Sequence, residues 1–570
     1  MVDISNKANL IWAIADKLTG SYKPHEYGEV ILPMTVIRRF DCILAETKDD
    51  VLRKYEEVKD IAMKDILLKN ASKQPFYNIS KFTLDRLIDD PDNLESNLRS
   101  YLNGFSDNIK EILDKFEINS HITRMADKKI LYMVVKEFTG SNADLHPSVV
   151  SNHEMGYIFE ELIRRFSESY NEDAGQHYTP REVIELMVNI LFADDDILTG
   201  NGRMRTLYDP ACGTGGMLSV AKEHLKRLNS GSELVCFGQE LNDQTYAVCK
   251  ADTLIKGSAN DKIEDGNTLD NDKFDNIEFD YVLSNPPFGR EWKNERTAVN
   301  AEASKGDKGR FSMGLPAISD SQMLFLQAAL AKIKDKGNGG GKVAIIHNGS
   351  PLFTGDAGSG PSEIRRNIIE NDLLDAIIGL PDDIFYNTGI ATYIWVLSNK
   401  KPKHRKGKIQ LIDATQMFVK RRKSLGNKRN DIPQDAIDEI TRIYGEFKES
   451  KVSKIFDNEE FGYSKITVER PLRDENGKVT LKSGKPQSDK DLKDTENVPL
   501  KEDIDEYFKR EVLPFAPDAW IDKDKTKVGY EIPFTRYFYE YTAPRPSQEI
   551  LQEIMDLEME LQETLKELFE

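Results

Sequence analysis

Near the start of the chain, Leu10, Ile11, Ile14 and Leu18 recur at helical spacing, which predicts an amphipathic helix. Interspersed charged and apolar residues continue to about Thr139 with few of the alternating runs that mark strands. An all-α domain is therefore expected over 1–150. From Ser151 the pattern changes. Short apolar runs at Leu207-Tyr208, Leu234–Phe237, Tyr281–Leu283, Val343–Ile346 and Ala376–Ile378 alternate with helical stretches. That alternation predicts a parallel sheet with crossover helices, an α/β domain over 151–450 that Thr392–Leu397 and Ile409–Ile412 would finish.

Glycines at 337, 339–341 and between Gly355 and Gly360 read as flexible connectors. Leu472 to Leu500 is charged and poor in apolar residues. It predicts an irregular surface excursion, with some disorder, inside a segment 451–546. At the end, Ser547 is a good N-cap after Pro544-Arg545-Pro546. Ile550, Ile554, Leu557, Leu561 and Leu568 then share one stripe, interrupted by Thr564. The stripe predicts a coiled-coil-like helix over 547–570, about three heptads long. A helix packed on its own domain has the same pattern.

With 570 residues the chain exceeds one core, so roughly two to four domains are expected. The 39% hydrophobic and 31% charged fractions fit a soluble globular protein. No apolar run approaches the roughly 18 residues of a membrane span. Lys7 precedes an amphipathic stretch, unlike a signal peptide. The four cysteines, Cys42, Cys212, Cys236 and Cys249, lack metal-ligand spacing and read as reduced, so a cytoplasmic location without membrane contact is expected. The eight histidines are scattered, and no metal site is expected.

Two segments carry chemistry. Leu207-Tyr208 leads into Asp209-Pro210-Ala211-Cys212-Gly213-Thr214-Gly215-Gly216, and a helical pattern starts at Met217. This is strand, glycine turn, helix. Glycines let backbone approach a ligand closely, and a helix start offers unsatisfied N–H groups. The spacing is neither a dinucleotide fingerprint nor a P-loop, which points away from a pyrophosphate. The next strand ends at Gly238-Gln239-Glu240, where an acidic side chain in a doubly wound sheet holds ribose hydroxyls. The second segment, Asn285-Pro286-Pro287-Phe288, closely follows Tyr281-Val282-Leu283. An Asn oxygen and a Pro carbonyl can accept both N–H bonds of a planar amino group, restoring electron density to its nitrogen. The prolines stiffen the turn, and Phe288 offers a stacking face worth roughly 1–3 kcal/mol for a base. An ordinary Pro-Pro turn satisfies the same four letters. Asp209, Glu240 and Asn285 each follow a strand and therefore fall on one sheet edge.

In that order, the glycine turn, Glu240 and Asn285–Phe288 resemble the S-adenosylmethionine-dependent N6-adenine DNA methyltransferases, and more narrowly the modification subunit of Type I restriction–modification systems. Leu10–Leu18 and Ile37-Arg38-Arg39-Phe40 resemble that family's helical N-terminal domain. Gly156–Ile163 resembles its entry to the catalytic domain. Asp372–Pro381 and Asn387–Thr392 resemble its later strands, and Gly529–Phe538 a tail found in one branch. The resemblance implies a Rossmann-like methyltransferase sheet with an all-α N-terminal domain and a helical C-terminal tail. It implies S-adenosyl-L-methionine as cofactor, with Gln176, His177, Tyr178, Thr179, Pro180 and Arg181 closing over it. Asp209, Gly213–Gly216, Glu240 and a turn residue, Asn267, would make further contacts, and Asn285, Pro286, Pro287 and Phe288 would be catalytic. An ordinary Gly-Asn turn accounts equally well for Asn267.

The net charge of −19 repels a duplex. The resemblance resolves this with a partner: a specificity subunit that brings double-stranded DNA and is flanked by two modification subunits, alongside a restriction subunit. The basic clusters Lys400–Lys406 and Lys420–Lys423 read as weaker helpers or as solvated loops. Two other readings stay open. One is a protein-glutamine methyltransferase, whose target is also a planar amide; such enzymes are much shorter. The other is an assembly subunit that uses cofactor binding to gate a nuclease.

Overall fold

Short apolar runs bounded by polar or glycine turns become strands in this computed structural model, which describes residues 9, 11–140, 143–169, 179–193, 195–258, 260–386, 388–482, 484–540 and 545–569. In chain order they are β1 (Met204–Asp209), β2 (Glu233–Glu240), β3 (Lys262–Asp265), β4 (Tyr281–Ser284), β5 (Lys342–Asn348), β6 (Leu374–Gly379), β7 (Thr392–Ser398) and β8 (Lys408–Asp413). A ribbon follows, β9 (Val419–Leu425) and β10 (Lys428–Asp431), then β11 (Ser453–Asp457). Among the described residues the central sheet has the order β11-β8-β6-β7-β5-β4-β1-β2-β3. Strands β4 and β6 are buried at every residue, which is why they read as unbroken apolar runs.

The sheet is mixed, which corrects the all-parallel expectation. β1 to β5 pair in parallel, as do β6 and β8, but β7 runs antiparallel to both β5 and β6, and β11 antiparallel to β8. The described part of the link from β6 to β7 contains no helix. A parallel return needs a crossover, usually helical, so the chain turns back instead. Chain order reverses at β1, with β2 and β3 on one side and β4 and β5 on the other. A crevice therefore opens at the carboxyl ends of β1, β2 and β4.

Helices Arg181–Phe192, Gly216–Leu228 and Gln434–Glu446 cover one face of the sheet in a single core. Helix Asp243–Ile255 is shared. Its Tyr246 and Cys249 enter that core, while Ala247, Val248, Ala251 and Ile255 join the core of the N-terminal helices. That second core also holds Val150, Met155, Ile158, Phe159 and Leu162, so packing is continuous across residue 150. Buried Arg39 helps to tie the two stretches together, donating to the carbonyls of Leu145 (2.5 Å) and Val150 (2.7 Å) and to Asn152 Oδ1 (2.6 Å). Ile11, Ile14 and Leu18 are buried, as their spacing requires; Ile11 and Trp12 are α-helical and a 3-10 helix, Ala13–Leu18, follows them, while Leu10 lies outside the described residues.

The segment 451–546, expected to be irregular, contains a three-stranded sheet and a short hairpin. β12 (Gly462–Glu469) pairs with β15 (Asp494–Pro499) and β16 (Trp520–Tyr530), and a small hairpin, β13 (Leu481–Lys482) with β14 (Lys485–Pro486), precedes β15. Ile466, Val468, Val498, Phe508 and Val512 form its core. Charge along β16 hid it from pattern reading; Lys523, Lys525 and Lys527 suit the edge of a sheet. Arg365 anchors this sheet, donating to the carbonyls of Tyr530 (2.6 Å), Pro351 (3.0 Å) and Thr354 (2.8 Å).

The chain divides into two compact units, Met1–Ile532 and Pro533–Glu570. The second contains the 23-residue helix Ser547–Phe569, on which Ile550, Ile554, Leu557 and Leu561 are exposed. Among the described residues, no helix is long and apolar enough to cross a membrane.

Candidate active site

The three strand ends meet through hydrogen bonds. Ser284 Oγ, closing β4, donates to Asp209 Oδ1 at the end of β1 (2.8 Å), and the Ala211 amide donates to the same oxygen (3.0 Å). Asp209 Oδ2 is buried and has no hydrogen-bond partner among the described residues. Burial pushes the Asp209 carboxyl up to about 7, against the pull of those two donors. Glu240, ending β2, accepts from the amides of Gly213 (2.8 Å) and Asn242 (2.8 Å), while burial raises its pKa.

The glycine turn needs its glycines. Gly213 has φ +55° and Gly215 φ +78°. A Cβ on Gly215 would lie 2.6 Å from Cys249 Sγ. Gly215 also caps helix Gly216–Leu228, whose first turn thus faces the crevice. The Cys212 thiol is held well above its usual range by Cys249 and by burial, which suits a small packing residue and not a nucleophile.

Asn285 is 9% exposed and follows β4 directly. Its Nδ2 donates to Thr179 Oγ1 (3.0 Å), and Thr179 Oγ1 donates to Met217 Sδ (3.7 Å). A cavity of about 180 Å³ is lined by Thr179, Asp209, Gly213, Thr214, Gly216, Glu240, Asn267, Asn285 and Pro287. Pro286 and Gly215 are buried just behind the wall, and Phe288 is half-buried against the core of the sheet face. Asn267 is already engaged: its Nδ2 donates to Glu295 Oε1 (2.7 Å) and its Oδ1 accepts from the Leu269 amide (3.0 Å).

Other expected contacts are placed elsewhere. Pro180 caps helix Arg181–Phe192 through its carbonyl, which accepts from Val183 (3.0 Å) and Ile184 (3.1 Å). Arg181 stacks over the Tyr157 ring at 3.6 Å and pairs with Glu160 (3.3 Å) and Glu223 (3.6 Å), away from the cavity wall. Gln176, His177 and Tyr178 lie outside the described residues. Pattern reading missed Arg290, Phe325 and Tyr386, which also line the cavity. Arg290 sits two residues after Phe288 and was within reach of a motif search; Phe325 and Tyr386 carry no local signal. Among the described residues, no group of three or more His, Cys, Asp or Glu could hold a metal ion.

The N-6 DNA methylase family matches residues 150–483, more than half of the chain. The chain belongs to that family. The family's match covers the cavity and its strand tips, and the HsdM N-terminal domain matches residues 7–138. The methylase subunit of the Type I restriction enzyme MjaIX from Methanocaldococcus jannaschii is 27% identical, over 81% of this chain and 80% of its own length. The MpnII methylase subunit from Mycoplasma pneumoniae is 24% identical, over 77% of this chain and 83% of its own. In fold, the chain resembles the crystal structure of a type I restriction-modification system methyltransferase subunit from Streptococcus thermophilus, with a TM-score of 0.63, 23% identity, and coverage of 80% of this chain and 97% of that one. The kinship with type I modification subunits expected from the motifs is thus borne out, and this N-6 DNA methylase is an adenine-specific DNA methyltransferase.

Proposed function

We propose that this methyltransferase is the modification subunit of a Type I restriction–modification complex, and that it methylates N6 of an adenine flipped out of duplex DNA. The convergence of Asn285, the glycine turn and Glu240 on one cavity carries this reading. The residues suit S-adenosyl-L-methionine. Gly213–Gly216 leave room for close approach, Glu240 offers remaining lone pairs to ribose hydroxyls, and the unpartnered Asp209 oxygen suits a cationic ligand. When bound, the cofactor supplies an electrophilic methyl for direct transfer.

Asn285 and the Pro286 carbonyl would then accept the two N–H bonds of the target amine, and Phe288 would stack on the extruded ring. Much of the acceleration is positional, and the surplus proton leaves to water. A specificity subunit would read the DNA sequence between two copies of this chain, and a restriction subunit would complete the assembly. The exposed stripe of helix Ser547–Phe569 would dock on the helices of the specificity subunit.

Asn285→Ala is expected to abolish methylation of duplex DNA while cofactor binding persists. Undiminished methylation by that variant would refute the assignment. Labelled cofactor offered with DNA and with protein substrates separates adenine from glutamine as the acceptor.

A further inference from the structure

The chain is strongly acidic overall, at −19, yet one element beside the cavity has the opposite sign. The β9–β10 ribbon and its turn carry Lys420, Arg421, Arg422, Lys423, Lys428 and Arg429 against a single acidic residue, Asp431. Two of the six cations are used internally. Arg421 forks onto Asp431 (2.5 and 2.7 Å), and buried Lys428 pairs with Glu182 and, at 3.0 Å, with Asp431. Lys420, Arg422, Lys423 and Arg429 are exposed and form no ion pair among the described residues. Like charges this close repel one another unless something external neutralises them.

The ribbon is also built to stay in place. The Asn427 amide donates to the Tyr386 carbonyl (2.7 Å), the Arg429 amide to the Asp383 carbonyl (2.9 Å), and Asn430 Nδ2 to the Asp382 carbonyl (2.8 Å). Lys428 Nζ donates to the Ile384 carbonyl (3.2 Å). The segment so gripped ends at Tyr386, which lines the same cavity as Asn285. Four uncompensated cations are thus held on a stiff hairpin rooted in the wall of the active-site cavity.

We propose that the β9–β10 ribbon is a phosphate-gripping arm, which holds the DNA backbone beside the extruded adenine. The inference rests on the DNA-methylating reading given above and adds a location for backbone contact on this chain. Two-stranded ribbons fit DNA grooves, and lysine and arginine side chains neutralise phosphates without reading sequence. A specificity subunit would then choose the site, while the ribbon pins the strand locally.

The test uses the full chain assembled with a specificity subunit, and a duplex oligonucleotide as probe. In K420Q/R422Q/K423Q/R429Q, the slope of log affinity against log salt should shrink by about 3 to 4 for each copy of the chain that engages the duplex, at about 0.9 for each phosphate that is no longer neutralised. Affinity for cognate and non-cognate duplexes should fall by the same factor, KM for DNA should rise by about tenfold or more near physiological salt, and cofactor affinity should hold. K423Q alone should lower the slope by about 0.9 for each engaged copy, which guards against a folding defect in the fourfold variant. An unchanged slope and KM would overturn the arm while leaving the methylation reading intact, provided that the wild type methylates DNA and Asn285→Ala does not. Lost assembly with unchanged DNA binding would assign the ribbon to an acidic protein surface and overturn it as well.

Discussion

The side-chain amide of Asn285 donates from Nδ2 to Thr179 Oγ1 at 3.0 Å, and the hydroxyl passes its own proton towards Met217 Sδ at 3.7 Å. A thioether sulfur has no proton to give, so the hydroxyl is a donor to Met217 and an acceptor from Asn285. The relay sets which end of the amide faces Thr179. Thr179 therefore holds the Asn285 side chain in place, in addition to lining the cavity. Thr179→Val should lower kcat by roughly five- to tenfold, the value of one hydrogen bond of about 1 kcal/mol, and Thr179→Ser should restore it. Steady-state kinetics with a parallel cofactor titration check this. A loss confined to cofactor affinity would make Thr179 a cofactor contact alone.

Asp209 should leave a mark on the pH dependence of stability. Its carboxyl rises from an ordinary 3.8 to about 7 on folding, through burial. Between about pH 4 and about pH 7 the folded chain keeps a proton that the unfolded chain has lost. Its contribution to stability is therefore present at low pH, declines as pH rises through that window, and levels off above it. Asp209→Asn keeps an acceptor for Ser284 and Ala211 but does not titrate. Urea unfolding of both proteins without cofactor should show the wild type losing stability relative to the variant from pH 4 to 7. A flat difference would contradict the buried, largely protonated carboxyl.

Gly215→Ala meets two obstacles, the left-handed backbone at φ +78° and Cys249 Sγ at 2.6 Å from the new Cβ. A destabilisation of about 1–3 kcal/mol is expected, with loss of cofactor binding. Adding Cys249→Ala should recover the steric part but not the backbone part. Thermal melts of the single and double variants measure the split, and full recovery would show that the backbone conformation is not the constraint.

Ending the chain after Pro546 removes the exposed helix Ser547–Phe569 and leaves the unit Met1–Ile532 whole. Cofactor binding should persist, and co-purification with a specificity subunit should be lost. A truncated chain that still co-purifies would move the docking surface elsewhere.

Much of the site was legible as local sequence, because a strand, a glycine turn and a helix start are specified within a few residues. Asp209, Gly213, Glu240 and Asn285 were all found that way, and all line the cavity. Arg181 does not line the cavity, because its neighbours decide its partner. Tyr157 and Glu160 come from a different helix, and no motif at Arg181 announces them. Phe325 and Tyr386 reach the cavity from segments with no chemical pattern of their own.

The sequence by itself determined most strands of the central sheet, the strand tips that meet at the cavity and the stripe on the last helix, since each depends on spacing along a few turns or strands. Only the tertiary structure decided the antiparallel insertion of β7, the pairing of charged β16 with β12, and the relay from Asn285 through Thr179 to Met217. Those depend on which distant backbone and side-chain groups meet. Hydrogen bonds between segments dozens to more than a hundred residues apart are set by packing, and packing leaves no periodic trace in the chain.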